Sequence, residues 1–120
     1  MTTNKTLLWL DDVRDPKSNM WHNWIAKSGF NPFNHNVVWV MTYDEFINHI
    51  KINGLPEVIF FDHDLGEEGE LTGFDCAKWL VDYCIDNDLE LPKWVIQSAN
   101  PVGVANINGL LVGYLKFKNK

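Results

Sequence analysis

Four short runs of the chain are nearly unbroken in apolar side chains: TLLWLD at 6–11, VVWVM at 37–41, VIFFD at 58–62 and WVIQS at 94–98. A strand with one wet face alternates apolar and polar positions, whereas a strand covered on both faces does not. These runs therefore predict strands of a parallel sheet lying between helices. The segments between them change to a helical period. Thr42-Tyr43-Asp44-Glu45 is a capping box, in which the Thr42 hydroxyl and the Glu45 carboxylate each satisfy an exposed amide. Phe46, Ile47 and Ile50 follow as an apolar stripe that stops at Asn53-Gly54. A second helix is expected from about Gly73 to Asp86, with Ala77, Leu80, Val81 and Cys84 on one face. Thr72-Gly73, after the loop GEEGEL, reads first as its cap and only second as a ligand contact. The last helix starts at Asn100-Pro101, Asn as N-cap and Pro at the first helical position, and carries Val104, Ile107, Leu111 and Tyr114 at helical spacing.

The stretch from Arg14 to Asn36 is irregular. Trp21, Trp24 and Ile25 suggest one short helix there, broken by Asn31-Pro32, and the segment is expected to be a lid or a covering excursion. Strands alternating with helices predict an α/β fold: three layers, doubly wound, with a mostly parallel, flavodoxin-like sheet of order 2-1-3-4. In such a sheet the ligand crevice lies at the carboxyl ends of strands one and three, where the winding reverses.

Composition narrows the class. The 120 residues are expected to form one domain, 1–120, and 46% hydrophobic content with six Trp and seven Phe is enough for a core. Net charge is −6, and the short Lys116, Lys118, Lys120 tail, read as a frayed end, is too small to track a nucleic-acid backbone. Extended nucleic acid is therefore not an expected partner; a small phosphorylated ligand or a nucleotide terminus is. Cys76 and Cys84 are expected on one helix, too far apart to bridge, as buried thiols of a reducing cytosol, and the location is read as cytoplasmic. No signal peptide and no membrane span is recognised, and no repeat. The oligomeric state stays open.

The candidate chemistry gathers at the strand ends. Strand one ends in Asp11-Asp12, strand three in Asp62-His63-Asp64 and strand four in Ser98-Ala99-Asn100, so the expected fold brings up to four carboxylates to one rim. Two carboxylates about 4 Å apart repel by roughly 4 kcal/mol at an effective dielectric of about 20. Such a group needs a cation or raised pKa values. Oxygen-only ligands favour a hard ion, Mg2+ or Mn2+, with Asp11, Asp12 and Asp62 as ligands and Asp64 as a further carboxylate or carbonyl donor. The alternative is that one or two of these acids cap turns. The amides around Val102 and Gly103, with the Ser98 hydroxyl, suit an anion, although Asn100-Pro101 is a good helix start in any case. Arg14 either clamps a phosphate or pairs with Asp15 or Asp12. His63 is either structural or a general acid or base. Trp9 and Trp39 read as core, and Trp21 or Trp24 as core or as a stacking surface for a base.

LWLDDVRDP, FDHDLG, TGFDCAKWL and SANPVGVAN together resemble the cyclic-phosphate processing receiver-like family, a divergent branch of response-regulator receiver domains, over nearly the whole chain. The resemblance implies a receiver-like sheet, here truncated at the C-terminal strand. It also implies an acidic pair at Asp11 and Asp12, a phospho-accepting position at Asp62 and a hydroxyl at Ser98. Receivers also carry a Lys after strand five that has no counterpart placed here, and Gln97 stands where relatives commonly have a His. The implied activity is Mg2+-dependent phosphoesterase processing of a cyclic phosphate, such as a nucleotide 2',3'-cyclic phosphate. Asp62, His63 and Asp64 would be the catalytic residues, and Arg14, Ser98, Asn100, Val102 and Gly103 would hold the phosphate. The other readings are a non-catalytic module that binds a nucleotide or a partner protein, and a conventional phospho-acceptor.

Overall fold

Four parallel strands form one sheet in the order β2-β1-β3-β4, with β1 at Thr6–Leu10, β2 at Asn36–Val40, β3 at Val58–Phe61 and β4 at Lys93–Ile96. The computed structural model describes residues 5–66, 71–98 and 100–118. Helices α1 (Asn19–Lys27), α2 (Tyr43–Asn53), α3 (Gly73–Asn87) and α4 (Pro101–Lys118) alternate with the strands. β1 is the central strand of the register, Leu8 lying opposite Val38 on one side and Ile59 on the other. The doubly wound α/β order expected from the continuous apolar runs is the observed one.

Alternate side chains of each strand serve opposite layers. Leu8, Leu10, Ile59 and Phe61 pack with Phe46 and Ile50 of α2, with Cys76, Ala77 and Leu80 of α3, and with Ile107 and Leu111 of α4. Leu7, Trp9, Val58 and Phe60 face the other way and pack with Ile25, Trp21 and Trp24 of α1. All eight strand residues are fully buried, which is why no alternation shows in the sequence. Cys76 and Cys84 are buried, unpaired thiols of α3, and burial holds the Cys84 thiol up at about 11.

Four local expectations are amended or narrowed. The segment containing Trp21, Trp24 and Ile25 is the covering excursion and not a lid, because α1 packs into the core over one face of the sheet. Its helix stops at Lys27, before Ser28-Gly29 with Gly29 at φ +94°, rather than at Asn31-Pro32. At α2 the Thr42 hydroxyl does accept from the Glu45 amide, but the Glu45 carboxylate reaches back to the amide of Met41 and not to that of Thr42. Lys116 and Lys118 lie in the last turn of α4, where Lys118 pairs with Asp88, so the basic tail is helical and not frayed through Lys118. Lys120 and the loop at 67–70 lie outside the described residues.

Two contacts set how close the helices come to the strand ends. The Gly73 amide, at the start of α3, donates to the His63 carbonyl at 2.7 Å. A Cβ at Gly73 would stand 1.8 Å from the Asp62 carbonyl oxygen, well inside contact distance. Thr72 caps this helix, as its sequence predicts, and Asp75 accepts from the Thr72 amide in return. Gly73→Ala should therefore force backbone apart at the end of β3 and cost at least ~2 kcal/mol, within the range for overpacked sites. Urea unfolding measures it, and a loss below about 0.5 kcal/mol would show that the approach is not fixed.

Candidate functional site

The backbone ladder runs one residue past β1, β3 and β4 and so places the rim residues. The Asp11 amide donates to Val40, Asp62 to Leu10 and Gln97 to Phe61. All three side chains are buried although polar. Asp11 then organises the loop that follows it. Its Oδ1 accepts from the amides of Val13 and Arg14 at 3.0 and 2.9 Å, and its Oδ2 accepts from the Arg14 guanidinium at 3.1 Å. The indoles of Trp9 and Trp39 donate to the Arg14 and Asp11 carbonyls, so two residues read as core also pin this loop. Asp12 Oδ2 accepts from the Gly66 amide at 2.8 Å and ties the loop to the one after β3.

Asp11, Asp12 and Asp62 each present a carboxylate oxygen within 4.8 Å of the others. Arg14 reaches two of them, Asp11 at 3.1 Å and Asp62 at 3.5 Å. It does not pair with Asp15 or Asp12, the two partners its sequence position suggested. Burial pushes the Asp62 carboxyl up to about 7; Asp11 and Asp12 push it the same way, while Arg14 and the Asp64 amide oppose them. Burial also works against the Arg14 charge, but Asp11 and Asp62 outweigh it and its pKa rises. With all acids ionised, three carboxylates against one guanidinium leave a formal −2 at this point. Oxygen donors with that residual charge suit a hard divalent cation.

Asp64 is not part of this group. Its exposed carboxylate meets His63 Nδ1 at 2.8 Å, so the rim holds three clustered acids and not four. The His63 ring lies against the first turn of α4, where a Cβ on Gly103 would come within 2.3 Å of its Cγ. Asn100 Oδ1 accepts from the Gly103 amide at 3.1 Å, and Ser98 Oγ accepts from the Asn100 amide at 3.1 Å. The Gly103 amide, expected to face an anion, is thus already capped. The Val102 side chain is exposed. Ala99 lies outside the described residues.

Gln97 has a role its sequence position did not signal. Its Nε2 donates to the Leu10 and Phe60 carbonyls at 3.0 and 3.4 Å, cross-linking the strand ends beneath the acids. Arg14 also lies over the Trp21 ring, 5.2 Å from its centroid. The signal for this contact was the pair Arg14 and Trp21 flanking one loop, which becomes legible only when α1 is seen to fold back over β1.

Acids after β1 and β3 and a hydroxyl after β4, on a doubly wound parallel sheet, define a receiver-type domain. The sequence profile of the cyclic-phosphate processing receiver domain matches residues 6–113, and the chain belongs to that family. Several solved structures are similar in fold, three of them as follows. One is a fusion carrying a yeast Spc42 trimeric coiled coil (20% identity, TM-score 0.56, 98% of this chain and 81% of that one). A second is the N-terminal domain of a response regulator/sensory box/GGDEF protein from Carboxydothermus hydrogenoformans (19%, 0.53, 95% and 93%). A third is the receiver domain of the Francisella response regulator 1452 (16%, 0.52, 97% and 98%). No curated protein sequence matches the chain. None of the helices among the described residues is long and apolar enough to cross a membrane.

The Asp62 environment has a measurable consequence in the absence of metal. The folded state keeps a proton on Asp62 up to about pH 7, whereas the unfolded chain releases it near its ordinary value of 3.8. The folded state therefore binds more protons between those values, and this group lowers stability as pH rises through that window. Asp62→Asn should flatten the slope and, in EDTA at pH 8, be more stable to urea than the wild type by about 1–3 kcal/mol. Equal slopes in the two proteins would contradict the assignment.

Proposed function

We propose that this chain is a Mg2+- or Mn2+-dependent phosphoesterase-like domain that processes a cyclic phosphate, with a nucleotide 2',3'-cyclic phosphate as the candidate substrate. The observation that carries the reading is the Asp11, Asp12, Asp62 triad, whose charge Arg14 only partly offsets. Membership of a family described by cyclic-phosphate processing supports it. In this reading those three acids hold the cation, which supplies Lewis-acid polarisation of a phosphate oxygen when bound.

The chain's own residues have separable parts. Ring opening breaks one P–O ester bond, adds a hydroxyl to phosphorus and delivers a proton to the departing alkoxide. In this reading Asp62 either orients the incoming water or attacks phosphorus itself, in which case water then hydrolyses the acyl phosphate and frees the carboxylate. Asp64 accepts from His63 Nδ1, which leaves Nε2 as the ring nitrogen that takes or hands over the proton. His63 is therefore the proton carrier and Asp64 its positioning partner. Ser98 Oγ accepts from the Asn100 amide and keeps its own hydrogen to donate, in this reading to a phosphate oxygen. Arg14 adds positive charge beside the acids. The Gly103 amide joins only if Asn100 turns away from it.

A binding module is the second reading, favoured by Gln97. A buried amide that holds two strand carbonyls stands where the family resemblance implies an imidazole. A phospho-acceptor on Asp62 ranks third, because the cation at the triad among the described residues is Arg14 and not a Lys.

Thermal melting with Mg2+ or Mn2+, then chromatography of nucleoside 2',3'-cyclic phosphates after incubation, tests these readings together. Metal should raise Tm in the wild type and lose that effect in Asp11→Asn, and the wild type should open the ring. Asp62→Asn should cut turnover at least ~100-fold while remaining folded. Stabilisation without product would move the assignment to the binding module, and no metal response would remove the metal site.

A further inference from the structure

We propose that Arg14 is an exchangeable counter-ion: it closes the rim acids until a divalent cation takes its place, and then holds the phosphate. The proposal rests on the metal reading above and adds to it what the site's own cation does. Asp11 offers a divalent ion one oxygen only. Its Oδ1 already accepts from the amides of Val13 and Arg14, at 3.0 and 2.9 Å, and has no further lone pair. Its Oδ2 accepts from Arg14 Nη1 at 3.1 Å, and that nitrogen stands 3.5 Å from Asp62 Oδ1. The Asp11 side chain is 0% exposed and that of Asp62 5%, whereas that of Arg14 is 24% exposed. These two acids are shut, and the group paired with both is the one that reaches water. An ion takes Oδ2 as Nη1 leaves it, because two positive charges on one oxygen repel.

The exchange asks little of the backbone. The Arg14 amide is bonded to Asp11 Oδ1 and its carbonyl accepts from the Trp9 indole at 2.8 Å, so the loop keeps its shape while the side chain turns. The guanidinium also lies over the Trp21 ring, 5.2 Å from the centroid, a contact that supports a cation without any carboxylate. Arg14, Trp21 and Ser98 line one cleft of about 280 Å³. A guanidinium released into that cleft presents a planar fork of donors beside the Ser98 hydroxyl, a pairing that suits phosphate oxygens. Arg14 therefore acts with opposite signs on the two ligands: it competes with the cation and recruits the phosphate.

Isothermal titration calorimetry with Mg2+ alone compares the wild type with Arg14→Met, which keeps the stem and loses the charge, and with Arg14→Lys, which keeps the charge. Arg14→Met should bind Mg2+ tighter by about 10-fold or more, the scale on which one nearby charge shifts an ionic equilibrium. Arg14→Lys should stay closer to the wild type than to Arg14→Met. With Mg2+ saturating, inorganic phosphate should bind Arg14→Met more weakly than the wild type, by about 10-fold or more. The 15N spectrum of the Arg14 guanidinium reads the exchange itself in the wild type. Its Nη protons, slowed by the two carboxylates, should average into one signal when Mg2+ saturates the site. That measurement also decides the matter should Arg14→Met fail to fold. Unaltered Nη signals at saturating Mg2+, or Mg2+ bound no tighter by Arg14→Met than by the wild type, would overturn the exchange and leave the metal reading standing. Phosphate bound equally by the two would overturn the phosphate role. Mg2+ bound by Arg14→Met alone would support the exchange, with Arg14 as the stronger competitor. Mg2+ bound by none of the three proteins would end the metal reading and the exchange with it.

Discussion

Carboxylate crowding at the carboxyl ends of β1 and β3 is the constraint around which this molecule is arranged. Three acids share a point less than 5 Å across, two of them buried. Parallel pairing produces this, since adjacent strands in register end side by side and the residue after each strand is still held by the ladder. Arg14 is the local answer to the repulsion. It is brought there by Asp11 itself, whose Oδ1 turns the chain through Val13 and Arg14 so that the guanidinium comes back over Oδ2. Turn-capping and charge-bearing, which were opposed readings of Asp11, are two uses of one carboxylate.

The framework keeps that point narrow. Trp9 and Trp39 bury their rings on the sheet and spend their indole N–H groups on the carbonyls of the Asp11 loop. Gln97 does the same from β4. Gly73 and Gly103 are open because the Asp62 backbone and the His63 ring occupy the space where a side chain would be. Helices α3 and α4 thus begin against the residues that end β3, and their positive N-terminal ends lie near the acidic rim. Packing and electrostatics meet in the same few residues, so changes that look steric also reposition charge.

Much of this was readable along the chain. Continuous apolar runs gave four strands and their parallel, doubly wound order, because burial on both faces removes alternation. Caps at Thr42, Thr72 and Asn100 are local chemistry and stand where the sequence puts them. Asp11, Asp12 and Asp62 were grouped because topology alone brings strand ends together. The Arg14–Asn36 segment was read less well. Its aromatic residues are spaced for a helix, but which surface that helix covers depends on the strands of the opposite layer.

The sequence by itself determined the strand order and the acidic triad, since both follow from which residues can be buried and where a parallel strand must end. Tertiary structure alone decided how those groups are shared out. Asp64 went to His63 and not to the triad, and Arg14 to both Asp11 and Asp62. It also decided that Gln97 would hold two strand carbonyls and turn its oxygen away. Each of these is a choice among several partners within reach, and the choice is made where the ends of β1, β3 and β4 meet, which brings Arg14 to Asp62 and Gln97 to Leu10 and Phe60 across the chain.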